Sequence, residues 1–189
     1  MASADEMGNT HLVPLSHYSD GAAPVLARDS TLGVVDGFVI EADDPRRDDV
    51  RRLLEQHLMF ATSVTPPDGV HALDPDGLLD ATITLFSLRL DGELLGIGAI
   101  KQLDHDHAEL KSMHTAAAAR RRGVGSAILG HLVAVAAARG VQRVSLETGA
   151  GEAFAPARAM YEAAGFVPCG AFGDYTATPN NAFMTRLLG

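Results

Sequence analysis

The stretch ARRRGVGSAI, residues 119–128, decides how this chain is read. Three arginines run into Gly-Val-Gly, and a small residue then opens an apolar helix. Glycine tolerates backbone conformations that other residues resist, so the pair suits a tight turn. The same pair lets a ligand approach bare backbone. The first N–H groups of a helix have no partner within it, and the helix dipole favours negative charge beside them. Arginine adds charge and a forked donor geometry. A turn alone and an anion cradle both fit these ten residues, and the flanking sequence has to separate them.

Upstream, AELKSMHT (108–115) reads as a strand; downstream, GSAILGHLVAVAAAR (125–139) reads as a helix that stops at Arg139 and Gly140. VQRVSLETG (141–149) is a further strand, so strand, glycine turn, helix and strand form a crossover with two parallel strands. Before this unit, GFVIEA (37–42), ATITLFSLRL (81–90) and ELLGIGAIKQL (93–103) are strands, with Asp91-Gly92 as a hairpin turn. Asp43, Asp44 and Pro45 are read as the cap and first turn of a helix over 46–60. TPPDGVHALDPDG (65–77) is a long loop of the kind that covers sites. A short helix over about 155–164 ends at Gly165, and strands FVPCG (166–170) and NAFMTRLL (181–188) close the chain. The class is α/β or α+β, with a mixed sheet of about seven strands and about four helices. Residues 1–35 are expected to be a flexible extension and 36–189 the working domain.

The glycine loop fails two familiar templates. Ile128 stands where a Walker loop and a G-x-G-x-x-G fingerprint each need a glycine. No H-E-x-x-H or G-x-S-x-G occurs. With 24 acidic and 15 basic residues the net charge is −9, which argues against a general nucleic-acid binder. Arg120 to Arg122 have no interleaved aromatic residues and make a poor nucleic-acid patch. No apolar run reaches the length of a membrane span. The one cysteine, Cys169, permits no intrachain disulfide and is expected as a small buried apolar residue in the sixth strand, in keeping with a cytoplasmic protein. His105-Asp106-His107 reads as a solvated turn and not as a metal site; no metal is expected.

What remains is R-x-x-G-x-G, Arg120 to Gly125, between a strand and a helix, followed by MYEAAGF (160–166). In spacing and strand order this resembles the GNAT superfamily of N-acetyltransferases over about residues 37–188. The resemblance implies a centrally splayed sheet, acetyl-CoA as co-substrate, and transfer of acetyl to a primary amine by direct attack. It places the coenzyme on Arg120, Arg121, Arg122, Gly123, Val124, Gly125 and Ser126, with the backbone of Met113, His114 and Thr115 pairing along the pantetheine arm. It implies Glu109 as general base, Glu147 as its competitor or as an anchor for the amine, and Tyr161 as acid toward the leaving thiolate. Read as ordinary structure, Glu109 is an ion-pair partner of Lys111 two residues on, Glu147 a partner for an arginine, and Tyr161 part of an apolar helix stripe. Phe154 departs from the asparagine many members carry there. His114 is a packing residue or a relay, and His71 a residue of the acceptor wall.

A small molecule or amino acid is the expected acceptor, and a protein lysine or N-terminus the in-class alternative. A non-catalytic acetyl-CoA sensor and an interaction domain are the readings from other classes. A homodimer is left open.

Overall fold

A computed structural model describes residues 37–65 and 75–189. The expected N-terminal extension and His71 lie outside them. Strand β1 (Phe38–Ala42) leads to helix α1 (Asp48–Val64), then to β2 (Ile83–Leu90), β3 (Glu93–Gln102) and β4 (His107–Thr115). Helix α2 (Val124–Ala138) crosses to β5 (Arg143–Gly149), and α3 (Ala155–Ala163), β6 (Val167–Pro168) and β7 (Asn181–Leu187) follow. The seven strands form one sheet in the order β1-β2-β3-β4-β5-β7-β6. Only β4 and β5 are parallel, as expected of strands joined by a helical crossover.

Among the described residues there are three α-helices, and short 3-10 turns at Gly77–Leu79, Ala117–Ala119 and Glu152–Phe154. The start of α1 differs from the reading. Asp43 and Asp44 do not cap it, and Arg47 at the cap position makes no side-chain cap bond. The Asp43 carboxylate instead accepts from Ser87 Oγ (2.6 Å) and from Arg89 (2.8 Å), while Arg89 also reaches Asp49 (2.6 Å). Arg89 is buried, and a buried guanidinium has a stronger claim on a carboxylate than a helix end open to water. The clamp fixes α1 against β1 and β2.

The two faces of the sheet carry separate cores. On one, Ile128, Leu129 and Leu132 of α2 and Phe166 after α3 cover Leu88, Ile100, Leu110 and Leu146. On the other, Val50, Leu53 and Leu54 of α1 cover Leu85, Ile97 and Ala99. A fully buried side chain of this kind contributes roughly 1.5–3 kcal/mol.

Helices α2 and α3 stop in the same way. Gly140 (φ 78°) and Gly165 (φ 83°) take the left-handed conformation. The N–H of Val141 donates to the Ala136 carbonyl (3.1 Å), and that of Phe166 to the Tyr161 carbonyl (3.0 Å). Both are Schellman stops. The second gives the Tyr…Gly-Phe ending a physical meaning: Phe166 ties the Tyr161 backbone and packs on its ring, with centroids 6.1 Å apart.

Strand β6 is two residues long where five were expected, with one more bond to β7 just past it, from the Cys169 N–H to the Phe183 carbonyl (2.9 Å). Cys169 lies just beyond it and is half-buried, not a core residue of a strand. His107 corrects the reading of the 104–107 turn. It opens β4 and is buried, whereas its neighbour His105 is exposed.

Candidate active site

Strands β4 and β5 pair only from His107↔Arg143 to Leu110↔Leu146. Beyond that point each keeps its outer partner, β4 with β3 and β5 with β7, and the sheet opens between them. A bulge in β4 accompanies the opening. Ile97 pairs with His114 and Ala99 with Lys111, so Ser112 and Met113 together face Gly98. Ser112 takes φ 52°, and its buried hydroxyl has no hydrogen-bond partner.

The bulge also reverses which face each side chain meets. Below it, Leu110 packs toward α2 while Glu109 and Lys111 face the other way. Above it, Met113 packs toward α2, and His114 meets His57 of α1. Glu109, Lys111 and His114 therefore share a face that strict alternation would divide. Sequence alternation carries no signal for this.

A cleft of about 650 Å³ runs through the opening. The glycine loop forms one end of it. Arg121 (φ 60°) and Gly123 (φ 81°) turn the chain sharply into α2, and a Cβ on Gly125 would sit 3.0 Å from Met160 Sδ. Of the residues assigned to the coenzyme, Met113, His114, Thr115, Arg120, Arg121, Gly123, Val124, Gly125 and Ser126 all line the cleft; Arg122 does not. The opening stretch is thus both a tight turn and one wall of a cavity.

Glu109, Glu147 and Tyr161 line the same cleft, so the fold brings the three candidate catalytic side chains together. Their environments differ. Glu109 Oε1 accepts from Lys111 Nζ (2.7 Å) and from the Tyr175 hydroxyl, and Lys111 also donates to that hydroxyl (2.6 Å). Tyr175, in the segment between β6 and β7, was not singled out from the sequence. It is placed by a cluster of Phe172, Phe183 and its own ring, with centroids 5.3–5.8 Å apart. Glu147 accepts no hydrogen bond among the described residues. Burial lifts its carboxyl to about 7, with Lys111 pulling down and Glu109 pushing up. Tyr161 is buried, and burial together with Glu147 raises its hydroxyl above the ordinary range, so it stays protonated.

Two histidines close the α1 side. His57 Nδ1 and His114 Nδ1 lie 3.3 Å apart, and one ring donates to the other. Burial lowers both to about 4, so both rings are neutral near pH 7. Phe154 packs flat over Gly149, where a Cβ would fall 2.2 Å from its ring, and meets Phe60 edge to face at 5.3 Å. An aromatic pair thus occupies the place where the resemblance implied an amide.

Comparison with known proteins gives this arrangement a family. The sequence model of the acetyltransferase (GNAT) family matches residues 50–166. The chain belongs to the GNAT family. It is 43% identical to the uncharacterized N-acetyltransferase YsnE of Bacillus subtilis over 149 residues, 79% of this chain and 99% of that protein. A structure described as an acyl-CoA N-acyltransferase from Klebsiella pneumoniae superposes with TM-score 0.67 at 24% identity, covering 80% of this chain and 98% of that one. A GNAT acetyltransferase from Elizabethkingia anophelis with acetyl-CoA bound superposes with TM-score 0.61 at 15% identity, covering 81% and 99%. The seven-stranded mixed sheet is the fold these structures share, and the chain is an acetyltransferase. Among the described residues no helix is long and apolar enough to cross a membrane.

Proposed function

We propose that this GNAT domain moves the acetyl group of acetyl-CoA to a primary amine of a small molecule by direct attack, with Glu147 as the general base. The observation that carries the reading is Glu147 itself. It is a carboxyl group at the open side of the β4–β5 splay, without a hydrogen bond among the described residues, raised by burial to about 7, in one cleft with the glycine loop. Glu109 holds a different post. Its ion pair with Lys111 and its bond from Tyr175 both fall on Oε1 and tie that carboxylate into the fold. In this proposal the base role passes from Glu109 to Glu147.

The N–H groups from Arg121 to Ser126 and the start of α2 would take the pyrophosphate of acetyl-CoA. Glu147 removes a proton from the acceptor ammonium. The freed nitrogen attacks the thioester carbon, and a backbone N–H near Met113 or His114 at the bulge receives the oxyanion. The C–S bond then breaks as Tyr161, held protonated, gives its proton to the leaving thiolate, and the extra proton on the new amide nitrogen passes to the Tyr161 phenolate, which restores the acid. No nucleophile-and-base pair suggests an acetyl-enzyme, since Cys169 lies outside the residues lining the cleft. A cytoplasmic setting goes with this reading.

The test pairs binding with turnover. Acetyl-CoA at about 100 times its Kd should stabilise the protein by about 2.7 kcal/mol, a thermal shift of a few degrees. Gly125→Trp, which fills the end of the cleft, should fold and lose the shift. Coenzyme A release with an amine panel then separates an enzyme from a sensor: binding without turnover of any amine sinks the catalytic part.

A further inference from the structure

The charges around the acceptor side of the cleft restrict what can be acetylated there. The cleft is lined by three cations: Lys111, Arg120 and Arg121. Lys111 is already committed to Glu109 and Tyr175, with 9% of its side chain exposed. Arg120 and Arg121 sit at the coenzyme end, beside Gly123 and Gly125. Arg158 of α3 spends its guanidinium on the carbonyls of Gly149 (2.7 Å) and Gly151 (2.9 Å). His57 and His114 add no positive charge near pH 7. The 169–180 segment that carries Tyr175 contains no lysine or arginine. Among the described residues lining the cleft away from the coenzyme end, the one uncommitted charge left is negative, that of Glu147. Around it stand apolar or neutral surfaces: Phe60, Phe154, the histidine pair and the Tyr175 ring.

From this, and resting on the acetyltransferase reading above, we infer that the acceptor is a primary amine on an uncharged apolar or aromatic body, without a carboxylate beside the amine. An ammonium group finds Glu147. An α-carboxylate beside that ammonium would be buried with no cation to meet it and with Glu147 to repel it, and burying an unpaired charge is costly. Free amino acids, the class expected from the sequence alongside other small amines, are thereby disfavoured.

The experiment compares three acceptors of one skeleton: phenethylamine, phenylalanine and phenylalaninamide, each with saturating acetyl-CoA at pH 8. Phenethylamine should exceed phenylalanine in kcat/KM by about 30-fold or more, in keeping with a desolvated, unpaired carboxylate. Phenylalaninamide keeps the bulk and drops the charge, so it should group with the amine. In Glu109→Gln the Lys111 ammonium loses its counter-ion, and the amine-to-amino-acid ratio should narrow by about tenfold. Phenylalanine turned over within threefold of phenylalaninamide would overturn the inference and leave the acetyltransferase intact. So would turnover of a lysine peptide with none of the three small acceptors. If none is turned over but acetyl-CoA still raises Tm, the acceptor inference falls and coenzyme binding stands; if acetyl-CoA has no effect on Tm, both fall.

Discussion

The lower and upper halves of the β4–β5 pair are made of the same two strands and do opposite things. In the lower half, His107 to Leu110 lies in register with Arg143 to Leu146. A chain of hydrogen bonds there crosses three strands. Arg143 donates to His107 Nδ1 (3.1 Å), so His107 is neutral and its Nε2–H donates to Ser145 Oγ (2.8 Å). Ser145 Oγ–H donates to Thr185 Oγ1 (2.9 Å), which donates to the Val144 carbonyl (3.3 Å). Every polar group has a partner. In the upper half the strands part, Ser112 is strained with an unpartnered hydroxyl, and Glu147 accepts no hydrogen bond among the described residues. The lower half spends its polar groups on stability; the upper half leaves them unpaired, and the candidate chemistry gathers there. A buried group without a partner is a candidate for work on a ligand.

The sharpest way to break this contrast is to exchange the two glutamates. Glu147→Gln should lower kcat/KM by about 10²–10⁴, the usual worth of a general base. Glu109→Gln should cost less than about tenfold with a neutral-bodied amine. Equal losses would end the assignment. The wild-type rate should fall on acidifying through about pH 7, as Glu147 takes up its proton, and that limb should vanish in Glu147→Gln. The stability runs the other way. The folded carboxyl holds a proton that the unfolded chain releases between pH 4.5 and about 7, so stability falls as pH rises through that window. Glu147→Gln should therefore be the more stable protein at pH 8 in a denaturant titration.

The lower half should answer in the other currency. Ser145→Ala leaves the buried His107 Nε2–H and Thr185 without their shared partner. It should cost about 1–3 kcal/mol of stability and leave kcat near wild type. A large loss of kcat with stability unchanged would mean the two halves are not separable.

Between these lies the stop of α3. A Cβ on Gly165 meets nothing nearer than Arg186 Nε at 3.8 Å, so Gly165→Ala is a pure test of the left-handed backbone at φ 83°. It should cost about 1–2 kcal/mol. Because Phe166 holds Tyr161 through this turn, kcat should fall with it; unchanged kcat would detach the Tyr161 hydroxyl from the leaving-group role.

Much of this was legible in the sequence, for reasons that can be named. The hairpin at Asp91-Gly92, the crossover helix and both glycine stops depend on local chemistry, which the sequence states directly. Gly123 marks the cleft through its left-handed φ of 81°, and Gly125 through the 3.0 Å that a Cβ would leave to Met160 Sδ. Three things were not local. Asp43 was read as a cap, because nothing in the sequence says that Arg89 lies buried 46 positions away and takes it. His107 was read as solvated, although Ser145 and Arg143 receive it from another strand. The choice between Glu109 and Glu147 depends on Tyr175, which arrives from a segment 66 residues downstream. The bulge at Ser112 hides from periodicity, because it is a break in that periodicity.

The smallest expected effect tests that break directly. Ser112 costs the fold twice, through a left-handed backbone that a residue with a Cβ resists and through a buried hydroxyl that bonds to nothing. Ser112→Gly removes both costs, against the extra freedom glycine brings to the unfolded chain. The net expectation is a gain of about 0.5–1 kcal/mol, read as a raised denaturant midpoint at unchanged m-value. If instead the variant is destabilised, the serine hydroxyl has a partner in solution and the bulge is not a strained element. If it is stabilised and kcat is kept, the opening of the sheet rests on the register between β3 and β4 and not on this side chain. If it is stabilised and kcat is lost, the hydroxyl itself belongs to the chemistry of the cleft, which then has one more working group beside Glu147 and Tyr161.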